Sequence, residues 1–422
     1  MFCIFSLELW RTLCLPAKRR ANLIKFLEFF LNPGDLWPDL PHTRALPVYA
    51  NSTQRASIFA PMLHFHLLQV KNIKKETEDC ISLSFEVPAA LKDTFRFEHG
   101  QSLTIRKIFN GTEARRNYSI CTSPLDGELK VAVKKVPGGL FSTWANEDLQ
   151  KGDFLEVMPP VGKFNTPLFQ GQKKNYVAFA AGSGITPILS IIRTTLLTEP
   201  QSSFTLVYGN RARQHILFQE ELQDLKDRFI TRFSLHHILS REQTDVPLNH
   251  GRIDKEKCAV FFRSVCDLSF CDEFFICGPE EMTFSVRDFL EESGVRRERI
   301  HFELFTIPGA GKRSVAPPET HTVTAPTGVL SKIFVKRDGI TFDFDLAMGG
   351  QNLLDAALQR GVDLPYACKG GVCCTCKAKL LEGRVEMDEN WGLEPDEVAA
   401  GYILTCQAHP LTDRIVVDFD AK

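Results

Sequence analysis

Cys368-Lys-Gly-Gly-Val-Cys373-Cys374-Thr-Cys376, with Cys406 downstream, separates four thiols by gaps of four, two and twenty-nine residues. This is the spacing of a plant-type [2Fe–2S] centre, in which four thiolates converge on two irons. Gly370 and Gly371 let backbone N–H groups turn inward toward the sulfurs without side-chain obstruction. A zinc site would more often show two C-x2-C pairs, and only one is present. Cys368, Cys373, Cys376 and Cys406 are therefore the expected metal ligands. Cys374 reads as a small spacer, and Cys80, Cys121, Cys258, Cys266 and Cys271 as small apolar core residues.

Arg116-Asn117-Tyr118-Ser119-Ile120 combines a cation, an aromatic ring and a hydroxyl at a strand end. A flavin needs a guanidinium for its diphosphate, a flat partner for its ring system and a hydrogen-bond donor near N5. Arg116, Tyr118 and Ser119 offer these, with Ile120 next to them. Downstream, Pro137-Gly138-Gly139-Leu140-Phe141-Ser142 has glycines for close approach to phosphate, then a helix start that favours anions. By itself that turn reads as a surface loop. Following the arginine motif, Gly138, Gly139, Leu140 and Ser142 read as part of the same cofactor site.

Ala181-Gly182-Ser183-Gly184-Ile185-Thr186-Pro187 follows an apolar strand, and the next helix is expected to open with Thr186 as N-cap and Pro187 at its first position. Nucleotide phosphate can rest on such a helix. The run lacks the third glycine of the dinucleotide fingerprint and the lysine of a P-loop. Asn210 and Arg211, with Arg213 near, end the following strand where an adenosine ribose is expected. Basic groups there favour a 2′-phosphate, so NADPH is expected over NADH. Cys277-Gly278-Pro279 repeats the pattern of strand end, tight turn and helix start, and its thiol can face the nicotinamide.

The elements that must position these residues are legible in outline. At 422 residues, with 50 basic against 52 acidic side chains, 44% apolar and 24% charged residues, the chain is a multidomain globular protein rather than a disordered or fibrous one. The near-neutral balance gives no general pull toward nucleic acid, and no uncharged apolar run is long enough for a spanning helix, so neither nucleic acid nor membrane is an expected partner. Residues 62–168 show short period-two segments divided by turn residues, the pattern of an antiparallel β-barrel. Residues 169–305 alternate apolar strand and helix, the pattern of a doubly wound parallel α/β sheet. Residues 306–327, rich in Pro, Gly, Thr and Ala, read as a linker. Residues 328–422 carry ten basic and fifteen acidic side chains and open with a hairpin signal at Asp338-Gly339. Residues 1–61 sustain no period and are expected to be a poorly ordered extension outside the functional unit, with Met62 as an alternative start. With no basic n-region and Glu8 interrupting the apolar run, they make no convincing export signal, and the crowded thiols point to a reducing, cytoplasmic compartment.

From about residue 62 onward, these motifs resemble the ferredoxin-NADP reductase-like flavoproteins that carry a C-terminal plant-type ferredoxin domain, and within them the branch that serves phenylacetyl-CoA epoxidases. The resemblance implies an FAD-binding β-barrel, an α/β NAD(P)-binding domain and an α+β ferredoxin domain of the β-grasp type. It implies FAD, with FMN as the alternative in the same domain order, NADPH or NADH, and one [2Fe–2S] cluster. It places Phe305 near the flavin, and an oxygenase, of the diiron type, as electron acceptor. A nicotinamide gives up two electrons together and a cluster takes one, so a carrier stable at one-electron reduction must lie between them, which flavin provides. Ser119, Thr186 and Cys277 are the residues expected at the reacting atoms, and no protein nucleophile is expected. A reductase of a Rieske ring hydroxylase or a steroid hydroxylase shares every motif, whereas a non-enzymatic redox module would not need the nicotinamide loops.

Overall fold

The computed structural model describes residues 64–305 and 329–421. The expected N-terminal extension and linker lie outside the described residues. Six strands form the first sheet: β1 (His66–Thr77), β2 (Cys80–Glu86), β3 (Ser102–Phe109), β4 (Thr112–Ser119), β5 (Leu129–Lys134) and β6 (Phe154–Val157). They pair antiparallel in the order β4-β3-β6-β1-β2-β5. An isolated bridge between Ile120 and Val131 brings the two ends of that order together. Period-two alternation sends Leu68, Val70, Leu103, Ile105, Val131 and Val133 into one core. Helix α1 (Leu140–Glu147) plugs this core with Phe141 and Ala145.

The second domain is a five-stranded parallel sheet. Its strands are β7 (Asn175–Ala181), β8 (Ser203–Asn210), β9 (Phe233–Leu239), β10 (Glu273–Gly278) and β11 (Ile300–Leu304), in the order β11-β10-β7-β8-β9. Helices α2 (Ile185–Thr198), α3 (Gln219–Arg228), α4 (Lys255–Ser264) and α5 (Glu280–Glu292) follow the first four strands. The strands are apolar on both faces, as a parallel sheet covered on two sides requires. Helix α4 has no counterpart among the sequence expectations. Its signal is the Asp254 cap, whose carboxylate accepts from Lys257 N–H at 2.8 Å, followed by Cys258, Phe261 and Phe262 on one face.

The opening of α2 differs from expectation. Gly184, not Thr186, is the N-cap, and Pro187 falls at the third helical position rather than the first. A proline is tolerated there because the N–H it lacks would have no intrahelical partner. Freed from capping, Thr186 Oγ1 donates to the Ser183 carbonyl at 3.0 Å.

The last domain contains β12 (Leu330–Arg337), β13 (Ile340–Ala347), α6 (Leu353–Gln359), β14 (Lys377–Glu382), β15 (Val385–Met387), α7 (Pro395–Ala399), β16 (Tyr402–Leu404), β17 (Ala408–Pro410) and β18 (Arg414–Asp418). Its main sheet runs β13-β12-β18-β14-β16, with β12 and β18 parallel at the centre, and β15 and β17 make a separate ribbon. Asp338 and Gly339 both have positive φ, 55° and 76°, which gives the β12–β13 hairpin the twist its strands need. Asn352 caps α6, its Oδ1 accepting from Asp355 N–H at 2.8 Å.

The first two domains share a core. Cys80, Cys121, Ala132 and Phe164 of the barrel region pack with the apolar face of α2. Across that seam Ser190 Oγ donates to the Thr122 carbonyl at 2.6 Å, and Arg193 pairs with Asp126 at 2.9 Å. This fused junction fixes β4 relative to the strand ends of the parallel sheet.

Candidate electron-transfer site

On β4 the period-two alternation puts Arg116 and Tyr118 on the face of their cross-strand partners Ile105 and Leu103, which lie in the barrel core. Arg116 is exposed, and its guanidinium donates to the Arg115 carbonyl at 2.7 Å. Tyr118 packs on Phe141 of α1, with ring centroids 5.7 Å apart. That contact ties the strand motif to the Gly138–Gly139 turn. Gly139 is the N-cap of α1, and Leu140 stands exposed beside it. Ser142 lies beneath, its Oγ accepting from Val136 N–H at 3.1 Å, so this hydroxyl shapes the turn. Ile120 is fully buried below the motif.

Ser119, at the end of β4, donates to Glu303 Oε2 of β11 at 3.0 Å. Glu303 is paired in register with Cys277 of β10. The residue is part-exposed, yet its carboxyl is hemmed in by protein, and that desolvation pushes the acid up to about 7. Burial also pushes the Cys277 thiol well up, with the Glu303 charge adding to it. A thiol held neutral in this way makes no nucleophile. Glu303 is absent from the sequence expectations. Its immediate neighbours Phe302 and Leu304 are apolar, and an acid at alternating spacing in a strand reads as a solvent-facing residue until the sheet shows otherwise.

The nicotinamide-side loops converge on the same point. A Cβ on Gly184 would run into the Cys277 carbonyl, so glycine is what allows the β7 turn to touch the β10 turn. Gly182 lies on the first of these turns, with Thr186 in the first turn of α2 just beyond it, and Gly278 and Pro279 lie on the second, Pro279 being the N-cap of α5. Asn210 ends β8, nearly buried, with its Nδ2 lacking a partner. Arg211 is exposed with no ion pair among the described residues, whereas Arg213 is held by Glu242 at 2.9 Å. Of the two arginines, Arg211 is the one available to a ligand. Phe305 is half-exposed immediately after β11.

The four cysteines fall into two contacting pairs, Cys368 with Cys373 and Cys376 with Cys406. Cys368 Sγ accepts from Gly370 N–H at 3.3 Å and from Cys373 N–H at 3.4 Å, while Cys373 Sγ accepts from Cys368 N–H at 3.5 Å. Its partner thiol and these amides pull Cys368 down to about 5. Inward amides and two thiol pairs suit two irons, each taking two thiolates, better than one closed tetrahedral ion. Gly371 is required, because its φ of 75° is left-handed and a Cβ would lie 2.7 Å from the Glu389 carbonyl. Cys374 points away and donates to the Gly392 carbonyl at 2.8 Å, in keeping with a spacer.

Comparison with known proteins agrees with this layout. Residues 67–166 match the model of the oxidoreductase FAD-binding domain, 179–288 the oxidoreductase NAD-binding domain, and 335–411 the 2Fe-2S iron-sulfur cluster binding domain. The chain is 48% identical over 362 residues to a subunit of the 1,2-phenylacetyl-CoA epoxidase of Escherichia coli (strain K12), covering 86% of this chain and 99% of the relative. It is 35% identical to the ferredoxin reductase component of a 3-ketosteroid-9-alpha-monooxygenase of Rhodococcus rhodochrous, covering 84% and 96%. The fold matches that of phthalate dioxygenase reductase, with a TM-score of 0.52 at 24% identity over 84% of this chain and 98% of that one. FAD, NAD(P)H and one [2Fe–2S] cluster are its cofactors. Among the described residues no helix is long and apolar enough to cross a membrane. Three matching domains in this order, and similarity that spans nearly the whole length of such relatives, place the chain in the family of flavin- and [2Fe–2S]-containing reductase components of multicomponent oxygenases.

Proposed function

We propose that this chain is the cytoplasmic reductase of a phenylacetyl-CoA epoxidase and that its acceptor is a diiron oxygenase component. The similarity to the epoxidase relative exceeds that to the ketosteroid reductase across the same three domains, and this supports the epoxidase over a Rieske or steroid hydroxylase. Bound flavin would supply the conversion between a two-electron donor, the nicotinamide, and a one-electron acceptor, the cluster. In this reading Arg116 and the Gly138–Ser142 turn hold its diphosphate, and Tyr118 covers its ring. Ser119 aims a hydroxyl at the reacting edge. Gly182, Gly184, Thr186 and Pro187 seat the dinucleotide, Cys277, Gly278 and Pro279 wall the nicotinamide, and Asn210 and Arg211 take the ribose and its 2′-phosphate. Phe305 lies over the open side. Cys368, Cys373, Cys376 and Cys406 bind the cluster.

The observation that carries the site is the Ser119–Glu303 hydrogen bond beside Cys277, because it joins the barrel motif to the end of the nicotinamide sheet at one point. Glu303 Oε2 accepts from Ser119 Oγ, and an acid near neutrality at this point can take up or release a proton next to that hydroxyl. The partner assignment is tested by supplying limiting reductase and NADPH to purified oxygenase components of a phenylacetyl-CoA epoxidase and of a Rieske-type steroid hydroxylase. Product formation is expected with the epoxidase; coupling confined to the hydroxylase would overturn the assignment.

A further inference from the structure

Arg115 shares β4 with the flavin motif but faces the other way. Its cross-strand partner is Arg106, and it belongs to the face opposite Arg116 and Tyr118. An outward arginine on a barrel strand is ordinarily solvated, yet the Arg115 side chain is only 4% exposed. Phe65, its ring centroid 5.0 Å from the guanidinium, covers it from the barrel side, and the rest of the cover includes the ferredoxin domain. Its guanidinium donates to the Leu364 carbonyl at 3.3 Å and pairs with Asp363 at 3.3 Å, and it lies 3.9 Å from the centroid of the Tyr366 ring. The same Tyr366 donates its hydroxyl to Glu113 Oε1 at 2.8 Å, and Glu113 is bound by Arg115 Nε at 2.7 Å. Two residues after Tyr366 comes Cys368, the first cluster cysteine.

We propose that Arg115, clamped between Glu113 and the Asp363–Tyr366 segment, is the positioning residue that sets the cluster-bearing loop against the flavin barrel for electron transfer. This rests on the reading that electrons pass from flavin to cluster. Its chemistry suits the task. A guanidinium presents several donors in a fixed plane and stacks on an aromatic face, so it fixes orientation as well as distance. Arg115 is also tied to the cofactor motif through its own backbone, whose carbonyl receives the Arg116 guanidinium. One residue therefore links the flavin-side arginine to the loop that leads into the cluster. When the ferredoxin domain leaves to meet an acceptor, Glu113 stays beside Arg115 and limits the cost of uncovering it. The interaction is thus a releasable clamp rather than a permanent core contact.

The test follows the loaded protein after anaerobic mixing with NADPH, reading flavin and cluster bleaching separately, alongside hydrogen exchange of amides 363–373. Arg115→Ala and Tyr366→Ala attack the clamp from opposite sides. Both are expected to leave flavin reduction unchanged, to slow the cluster phase by about tenfold to a hundredfold, as small misplacements of reacting partners do, and to raise exchange in 363–368. Arg115→Lys, which keeps the charge but not the planar fork, should fall between. A cluster phase as fast as wild type in both alanine variants, or unchanged protection of 363–368, would overturn the clamp. Failure of the wild-type flavin to bleach would instead count against the reading of the redox chain, and the exchange data would still decide the clamp.

Discussion

Ser119 and Glu303 are separated by 184 positions in the chain and share one hydrogen bond. Desolvation holds the Glu303 carboxyl at about 7, above the ordinary carboxyl range, so the folded chain keeps a proton that the unfolded chain releases. The stabilisation of the neutral acid is complete below the ordinary carboxyl range and is lost as pH rises through about 7. Glu303→Gln fixes the neutral form. It is expected to remove a transition near neutrality from the pH profile of flavin reduction and to make stability less dependent on pH between weakly acidic and neutral conditions. Stopped-flow reduction across that range would show it, and a profile that keeps the wild-type transition would assign the proton elsewhere. Arg211 offers a second test at this scale. A hydrogen bond to a charged group contributes about 1.5–3 kcal/mol, so Arg211→Ala should raise KM for NADPH by about tenfold or more while leaving NADH untouched. Equal effects on both nucleotides would remove the 2′-phosphate from its role.

At the scale of elements, the site is made by turns that meet. The β7 and β10 turns touch because Gly184 has no side chain. Gly184→Ala forces them apart and is expected to cost about 1–3 kcal/mol, the usual range for overpacking. Thermal unfolding would read the stability loss, and NADPH titration a weaker nucleotide site; an unshifted midpoint with normal affinity would mean that the turns have slack. How far such features are legible in the sequence depends on whether their signal is local. The Cys368–Cys376 run, the Arg116–Ser119 stretch, the glycine turns and the Asp338-Gly339 pair are each written in neighbouring residues, and the structure shows a strand, turns and a hairpin at the last three. Helix α4 is written more faintly, in a cap and three apolar positions. Glu303 and Arg115 could not be read this way, because what distinguishes each is a partner from a distant segment: Ser119 for one, Asp363 to Tyr366 for the other. The cap of α2 was displaced for a local reason, since the turn at Gly182–Gly184 already winds into the helix and leaves Thr186 inside its first turn.

At the scale of the whole molecule, apolar sharing decides which domains unfold together. The barrel and the parallel sheet contribute to one core, with Cys80, Cys121, Ala132 and Phe164 packed among the residues of β7, β8 and α2. The ferredoxin core, from Ile333 to Val417, draws only on residues of its own domain and includes Cys376 and Cys406, the proposed cluster ligands. Its contacts with the other domains include the Arg115 clamp, the Lys163–Glu397 ion pair and the Phe284–Trp391 ring contact. Such contacts hold position without merging cores, so the first two domains are expected to melt as one cooperative unit and the ferredoxin domain as another. Metal binding is folding free energy for a small domain built around its ligands. Cys368→Ser should therefore lower the ferredoxin transition by roughly 10 °C or more, given that 1 kcal/mol moves a domain of this size by about 4–8 °C. The flavin and nicotinamide domains should keep their midpoint in the same scan. Calorimetry of the two proteins decides the matter: one transition that shifts as a whole would mean that these contacts couple the ferredoxin domain as tightly as a shared core does.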